Sequence, residues 1–237
     1  FLHSLGQERP WAAFCHPQKF GNIQSTEPTS NMSFSLTTYM RIDSHDLDLR
    51  VAQRLQVGGY RIEFQPGSSL GSTPVNEALW LAVLSTPQEL PRIEPNRPFL
   101  AGFGYSVAPR TDEHLRYAPR GVRKFSASAS TRTDANASLG ARCMQHLIAA
   151  AIAAETDGWL LVDGEQSPRR GDNAFEMACQ EMTALRVGDI KLDHGTRRFL
   201  GWTKDGAPDL NGEIIFREDM CPLPFPVSAK KWWQFWR

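Results

Sequence analysis

The chain predicts an α+β fold: a largely antiparallel sheet covered by two or three helices. Two observations lead there. Strand-like segments outnumber helical ones, and several of them follow one another with no helix between. A doubly wound parallel sheet needs strict alternation of strand and helix, which this order lacks.

Phe34 to Ile42 (FSLTTYMRI) alternates apolar and polar residues, the period of a half-buried strand. Ser44 offers an N-cap and Asp46 an acidic first turn for the next segment, where Leu47, Val51 and Leu55 recur at helical spacing. Gly58 and Gly59 stop that helix. Tyr60 to Pro66 reads as a returning strand, followed by a Gly/Ser/Pro loop from Gly67 to Pro74. Ala78 to Thr86 is a continuous apolar run, the pattern of an interior strand. Pro98 to Pro109 is another strand, in which Gly102 and Gly104 mark a weak point or a bulge.

The most regular stretch is VRKFSASAS. Phe125, Ala127 and Ala129 fall on one face, and Ser126, Ser128 and Ser130 on the other. A polar turn, TRTDANAS, leads into a helix that is apolar all round from Leu147 to Ala154 and therefore buried on most sides. Asp134 or Asn136 is expected to cap its start, and Gly158 to close its end in the left-handed conformation. Trp159 to Asp163 is a short buried strand. Asn173 with Glu176 has the spacing of a capping box for a last helix running to about Arg186. IKL and GEIIFRE are weaker strand candidates.

Size and charge narrow the function. The 237 residues suit one large domain or two small ones. We divide them into a loosely ordered extension over 1–31 and a single domain over 32–237. The extension reads equally well as an arm docked through Trp11 and Phe14. Lys plus Arg and Asp plus Glu balance at 26 each, which argues against a dedicated nucleic-acid binder. Cys15, Cys143, Cys179 and Cys221 form no CxxC pair and the histidines no ligand cluster, so no metal, no cofactor and a reducing cytoplasm are expected. No apolar run has the ~18 residues that would suggest a transmembrane segment, and no signal peptide is expected.

Candidate chemistry is thin. Ser126, Ser128, Ser130, Arg132 and Asp134 make a polar strand face beside a helix start, a candidate ligand face in which Arg132 would clamp an anion. The bland alternative is a solvated sheet face. Gly67, Ser69 and Gly71 spell G-x-S-x-G, but that nucleophile turn must join a strand to a helix, and this one reads as a flexible loop. Cys143 and His146 are near neighbours on one helix, where a packed thiol and a capped or bonded histidine are the simpler reading. Asp157, Asp163 and Glu165 flank a short strand and Asp172 follows a loop, and paired acids there would serve acid–base work or a divalent ion. Solvated strand ends are the simpler reading. Asp163 and Glu165 stay with the serine strand as the candidate ligand face.

The aromatic end is different. CPLPFPVS is an extended strap. SAKKWWQFWR then places Trp232, Phe235 and Trp236 on one face of a helical turn, with Trp233 beside it. These residues dock on the protein's own body, bind a partner, or touch a membrane surface. The first two stay open, and they are the partner-binding candidates.

From Phe125 to about Ala178 the order is a serine-rich strand, a polar turn, MQHLIAAAIAAETDG, WLLVDGEQ and an Ala-rich acidic helix. This segment, with the KKWWQFW end, resembles small uncharacterised bacterial proteins encoded near secreted toxins and taken as their immunity partners. Relatives of that kind often carry proline after the strand-exit Asp, where this chain has Gly164. The resemblance implies a non-catalytic cytoplasmic protein that binds another protein, a toxin that it neutralises. The alternatives are an enzyme with a pocket at the serine-rich strand, or a membrane-surface or structural component.

Overall fold

A computed structural model describes residues 33–41, 46–87, 97–110, 120–134, 137–162, 168–184 and 195–215. In chain order they form β1 (Phe34–Met40), α1 (Leu47–Val57), β2 (Arg61–Phe64), β3 (Ala78–Ser85), β4 (Phe99–Pro109), a 3-10 turn (Arg120–Lys124), β5 (Ala127–Thr133), α2 (Leu139–Glu155), β6 (Trp159–Val162), β7 (Arg169–Arg170), α3 (Gly171–Ala184) and β8 (Arg197–Arg198). The strands make one sheet in the order β2-β3-β4-β5-β1-β6-β7, every neighbouring pair antiparallel. β8 lies beside β4 at Phe99 and Leu100, below the point where β5 leaves it at Gly104. The fold is therefore α+β, as the sequence predicts.

Alternation sets the two faces. Leu36 and Met40 of β1, Leu79, Leu81 and Val83 of β3, Phe103 and Tyr105 of β4, Ala127 and Ala129 of β5, and Leu160 of β6 are all buried. α2 packs across β1, β4, β5 and β6, with α1 and α3 alongside it. α1 contributes Leu47, Val51 and Leu55 to the core, the triplet its periodicity marks. α2 is buried continuously from Cys143 to Ala153. The alanines Ala149, Ala150, Ala151 and Ala153 bring its backbone close to the sheet, and Thr38 Oγ1 of β1 donates to Ala149 O at 3.0 Å.

A polar seam runs through this apolar layer. Gln145 is fully buried. Its Oε1 accepts from Thr133 Oγ1 at 2.7 Å, and its Nε2 donates to Phe34 O at 3.2 Å and Thr131 Oγ1 at 3.3 Å. The side chain thus ties α2 to β1 and β5 at once.

Several local details differ from the sequence reading. β5 starts at Ala127, because Val122 to Lys124 belong to the 3-10 turn, and it continues through Thr131, Arg132 and Thr133, which read as turn. Thr131 and Thr133 face the core, where Gln145 satisfies their hydroxyls, so threonine extends the alternation. The cap of α2 is Ser138, whose Oγ accepts from Ala141 N at 3.1 Å, and not Asp134. α3 starts at Gly171, so Asn173 lies inside the helix. Gly102 and Gly104 sit in regular pairing with β3 and β5, with no bulge. Ser44, the Asp163 end of β6 and the IKL strand lie outside the described residues.

The end of α2 shows why a sequence signal can point to the right residue for the wrong reason. Asp157, not Gly158, takes the left-handed conformation, at φ 47°. Gly158 N donates to Ala153 O at 2.7 Å and Asp157 N to Ala154 O at 3.3 Å, the paired bonds of a Schellman end. Gly158 is required by space: a Cβ there would stand 2.3 Å from Tyr39 O of the neighbouring strand. Gly158→Ala should therefore push α2 and β6 off β1 and lower stability by about 2 kcal/mol, the range for overpacking. Urea unfolding followed by circular dichroism checks this. An unchanged midpoint would mean that the strand backbone yields freely.

Candidate functional site

The opposite face of the sheet carries the candidate residues. Pairing across the strands arranges them in rows. Ala78, Gly104, Arg132 and Ser35 form one row, from β3 to β1. Ser106, Ser130, Thr37 and Leu161 form the next. Ala108, Ser128, Tyr39, Trp159 and Arg170 form the third. Ser126, Ser130 and Arg132 are exposed, while Ser35, Thr37, Tyr39, Ser106 and Ser128 are half-buried. The serine strand therefore presents its hydroxyls on a broad polar surface, as the alternation predicts.

Tryptophans stand at both ends of the face. At one end Trp80 of β3 lies over Gly102, where a Cβ would fall 2.3 Å from Cζ3 of the ring and 2.4 Å from Cε3. Glycine lets the indole lie down on the strand. At the other end Trp159 packs on Gly121 of the 3-10 turn, where a Cβ would stand 2.9 Å from Cζ2. Next to it, burial holds the Tyr39 hydroxyl above its ordinary pKa, with the Arg110 cation opposing the shift. Arg110 itself donates to Val122 O at 2.9 Å and to Arg123 O, which fixes the turn against β4.

A shallow depression of about 330 Å³ opens beside Trp80. Trp80, Gly102, Gly104, Ala78, Arg132 and Asp134 line it. That volume sits at the lower end of the ~300–1,000 Å³ typical of ligand pockets. Arg132 and Asp134 both reach it, and among the described residues neither side chain has a hydrogen-bond or ion-pair partner. The structure so brings two candidate residues to one place and spreads the three serines along the face away from it.

The other candidates divide. Asp163, Glu165, Trp232, Trp233, Phe235 and Trp236 lie outside the described residues. Asp157 is held by Arg170 at 2.6 Å and Lys124 at 3.4 Å, and the Arg170 hydrogen bond keeps its carboxyl below the usual range. Asp172 accepts from Arg54 at 2.7 Å, and Arg54 also bonds Glu155, joining α1, α2 and α3. These two acids are thus ends of ion pairs. The G-x-S-x-G loop is pinned rather than flexible. Leu70 N donates to Asp48 Oδ1 at 2.6 Å, and Tyr105 Oη donates to Leu70 O at 2.6 Å. Ser69 Oγ accepts from Gly71 N at 3.1 Å, the bond of a local turn. Cys143 is a buried thiol, and His146 meets Glu181 of α3 at 3.4 Å, with Arg169 bonded to the same carboxylate at 2.7 Å. Among the described residues no cluster of three His, Cys, Asp or Glu could hold a metal. Their helices include none long and apolar enough to cross a membrane.

Sequence reasoning missed Trp80, Gly102 and Gly104. The signal was present: two glycines two positions apart in a strand strip one face of its side chains. Comparison of the chain with protein-family models, with curated proteins and with solved structures gives no match.

Proposed function

We propose that the protein works by binding another protein through the face of its sheet that no described helix covers, and that this partner is a toxin which it neutralises. One observation carries the reading. Cross-strand rows set the short polar residues Ser35, Thr37, Ser106, Ser128 and Ser130 between Trp80 and Trp159, with a shallow depression at one end. Polar faces with a few large aromatic residues suit protein contacts, in which a handful of anchors dominate. The resemblance of residues 125–178 to immunity-type proteins supports the neutralising role and a cytoplasmic complex. A partner of this kind should bury about 1,200–2,000 Å² in total.

Ser130 is exposed at the centre of the face, so Ser130→Trp adds bulk there without touching the core. The wild-type chain should capture one partner from its native host, and that partner expressed alone should arrest growth. Co-expression of the wild type should restore growth, and Ser130→Trp should fail to, with affinity reduced at least about tenfold and the thermal midpoint unchanged. Full protection by Ser130→Trp would remove the face from the interface.

An enzyme with its pocket at the serine-rich strand is the second reading. The adjacency of Arg132 and Asp134 in one depression favours it. Turnover of a small molecule that Arg132→Ala abolishes would establish it over the binding role.

A further inference from the structure

We propose that the depression beside Trp80 is the anchor point of this binding face, and that it takes an aromatic side chain carried next to a carboxylate on the partner. The proposal rests on the binding role given above and specifies its chemistry.

The shape comes from β4. Gly102 and Gly104 leave two successive positions of the open face without side chains, and their cross-strand neighbours are Trp80 and, for Gly104, Ala78 and Arg132. The Trp80 ring occupies the space over Gly102. Over Gly104 the nearest atoms to a built Cβ are backbone and Cβ atoms, Arg132 O at 3.3 Å and Arg132 Cβ at 3.5 Å. The bare strand is therefore roofed by indole at one position, and at the next its glycine, close against the Arg132 backbone, lines the depression. An aromatic ring entering there rests on glycine backbone beside the indole, where offset or edge-to-face contact is favourable.

The charge comes from β5. Arg132 is exposed, and among the described residues its guanidinium pairs with no carboxylate. The planar fork of arginine matches a carboxylate through two parallel bonds. Asp134, two residues on and just past the end of β5, lines the same depression and opposes an anion there. The two side chains thus make opposite predictions, which a purely hydrophobic notch would not.

The test uses the full chain, isotope-labelled, with three blocked peptides as probes: acetyl-Glu-Trp-Asp-amide, acetyl-Lys-Trp-Lys-amide and acetyl-Glu-Ala-Asp-amide. Titration is followed by NMR at the Gly102 and Gly104 amides and the Trp80 indole. The acidic tryptophan peptide should move those signals and bind at least about fivefold more tightly than either other peptide. Arg132→Glu should weaken it at least about tenfold, and Asp134→Asn should tighten it about threefold. Equal binding of all three peptides, shifts elsewhere on the protein, or an Asp134→Asn variant that binds more weakly would each overturn the proposal. A full chain carrying Trp232→Ala and Trp236→Ala tests the other occupant. If those changes tighten the probe, the chain's own aromatic end competes for the notch, and the proposal of a partner side chain fails.

The binding role has its own separate readout. If Ser130→Trp loses the captured partner while Arg132→Glu keeps it, the face stands and the notch falls. If the wild type neither captures a partner nor protects a host, the binding role itself falls.

Discussion

Replacing Gln145 by leucine is expected to destabilise the protein by about 4 kcal/mol, a large share of the ~5–15 kcal/mol of a typical domain. Leucine fits the volume and suits a helix, so neither packing nor propensity predicts this loss. The cost lies in what it leaves behind. Gln145 accepts from the buried Thr133 hydroxyl at 2.7 Å and donates to the buried Thr131 hydroxyl at 3.3 Å and to Phe34 O. A buried hydroxyl stripped of its partner costs about 1–3 kcal/mol. Removing both ends together should cost far less, because the apolar replacements have nothing left to satisfy. Urea unfolding of Gln145→Leu alone, and with Thr131→Val and Thr133→Val, measures both effects. The triple variant should recover more than half of the loss. A triple variant no more stable than the single one would show that Gln145 acts through shape rather than through hydrogen bonds.

The second large effect is on pH. Burial pushes the His146 imidazole down from 6.5 to about 4, against the pull of Glu181 and with the repulsion of Arg169. The 3.4 Å approach of Nε2 to Glu181 would by itself favour the cation. Complete burial outweighs it, since Arg169 at 2.7 Å already neutralises that carboxylate. In the unfolded chain the imidazole takes up its proton near 6.5, while in the fold it stays neutral until about 4. Below 6.5 the unfolded state therefore binds more protons, and stability falls with falling pH until both states are charged near 4. The loss across that window is about 3 kcal/mol, at ~1.4 kcal/mol for each unit. NMR of the imidazole carbon signals should show a neutral ring at pH 5, and the urea midpoint should decline steadily from pH 6.5 to 4. A ring that titrates near 6.5 in the folded protein, with a flat midpoint, would refute it.

Both effects lie in places that the chain hides. Gln145 and His146 stand just before the all-apolar run Leu147 to Ala154, and the sequence names no partner for either side chain. Nothing local announces that Gln145 meets Thr131 and Thr133, or that His146 meets a glutamate on another helix. The candidate site divides in the same way. The serine alternation was legible, since a period of two forces Ser126, Ser128 and Ser130 to one side. Arg132 and Asp134 were legible as a pair near a helix start. Their neighbour Trp80 was not, because it comes from a strand on the far side of β4.

Local periodicity determined the class of this protein. Phe34–Met40 and the residues from Ala127 to Ser130 are strand because alternate residues must face one apolar layer, and Ala78–Ser85 because a continuous apolar run suits an interior strand. Leu147 to Ala154 is a buried helical segment because it is apolar on every side. Tertiary structure alone decided the strand order that seats β1 between β5 and β6, the glycine strip beneath Trp80 and the partners of the buried polar groups. The reason is physical. Periodicity states which side of an element seeks burial but carries no term for the neighbour it finds there, and Thr38 meets Ala149 across 111 positions of chain.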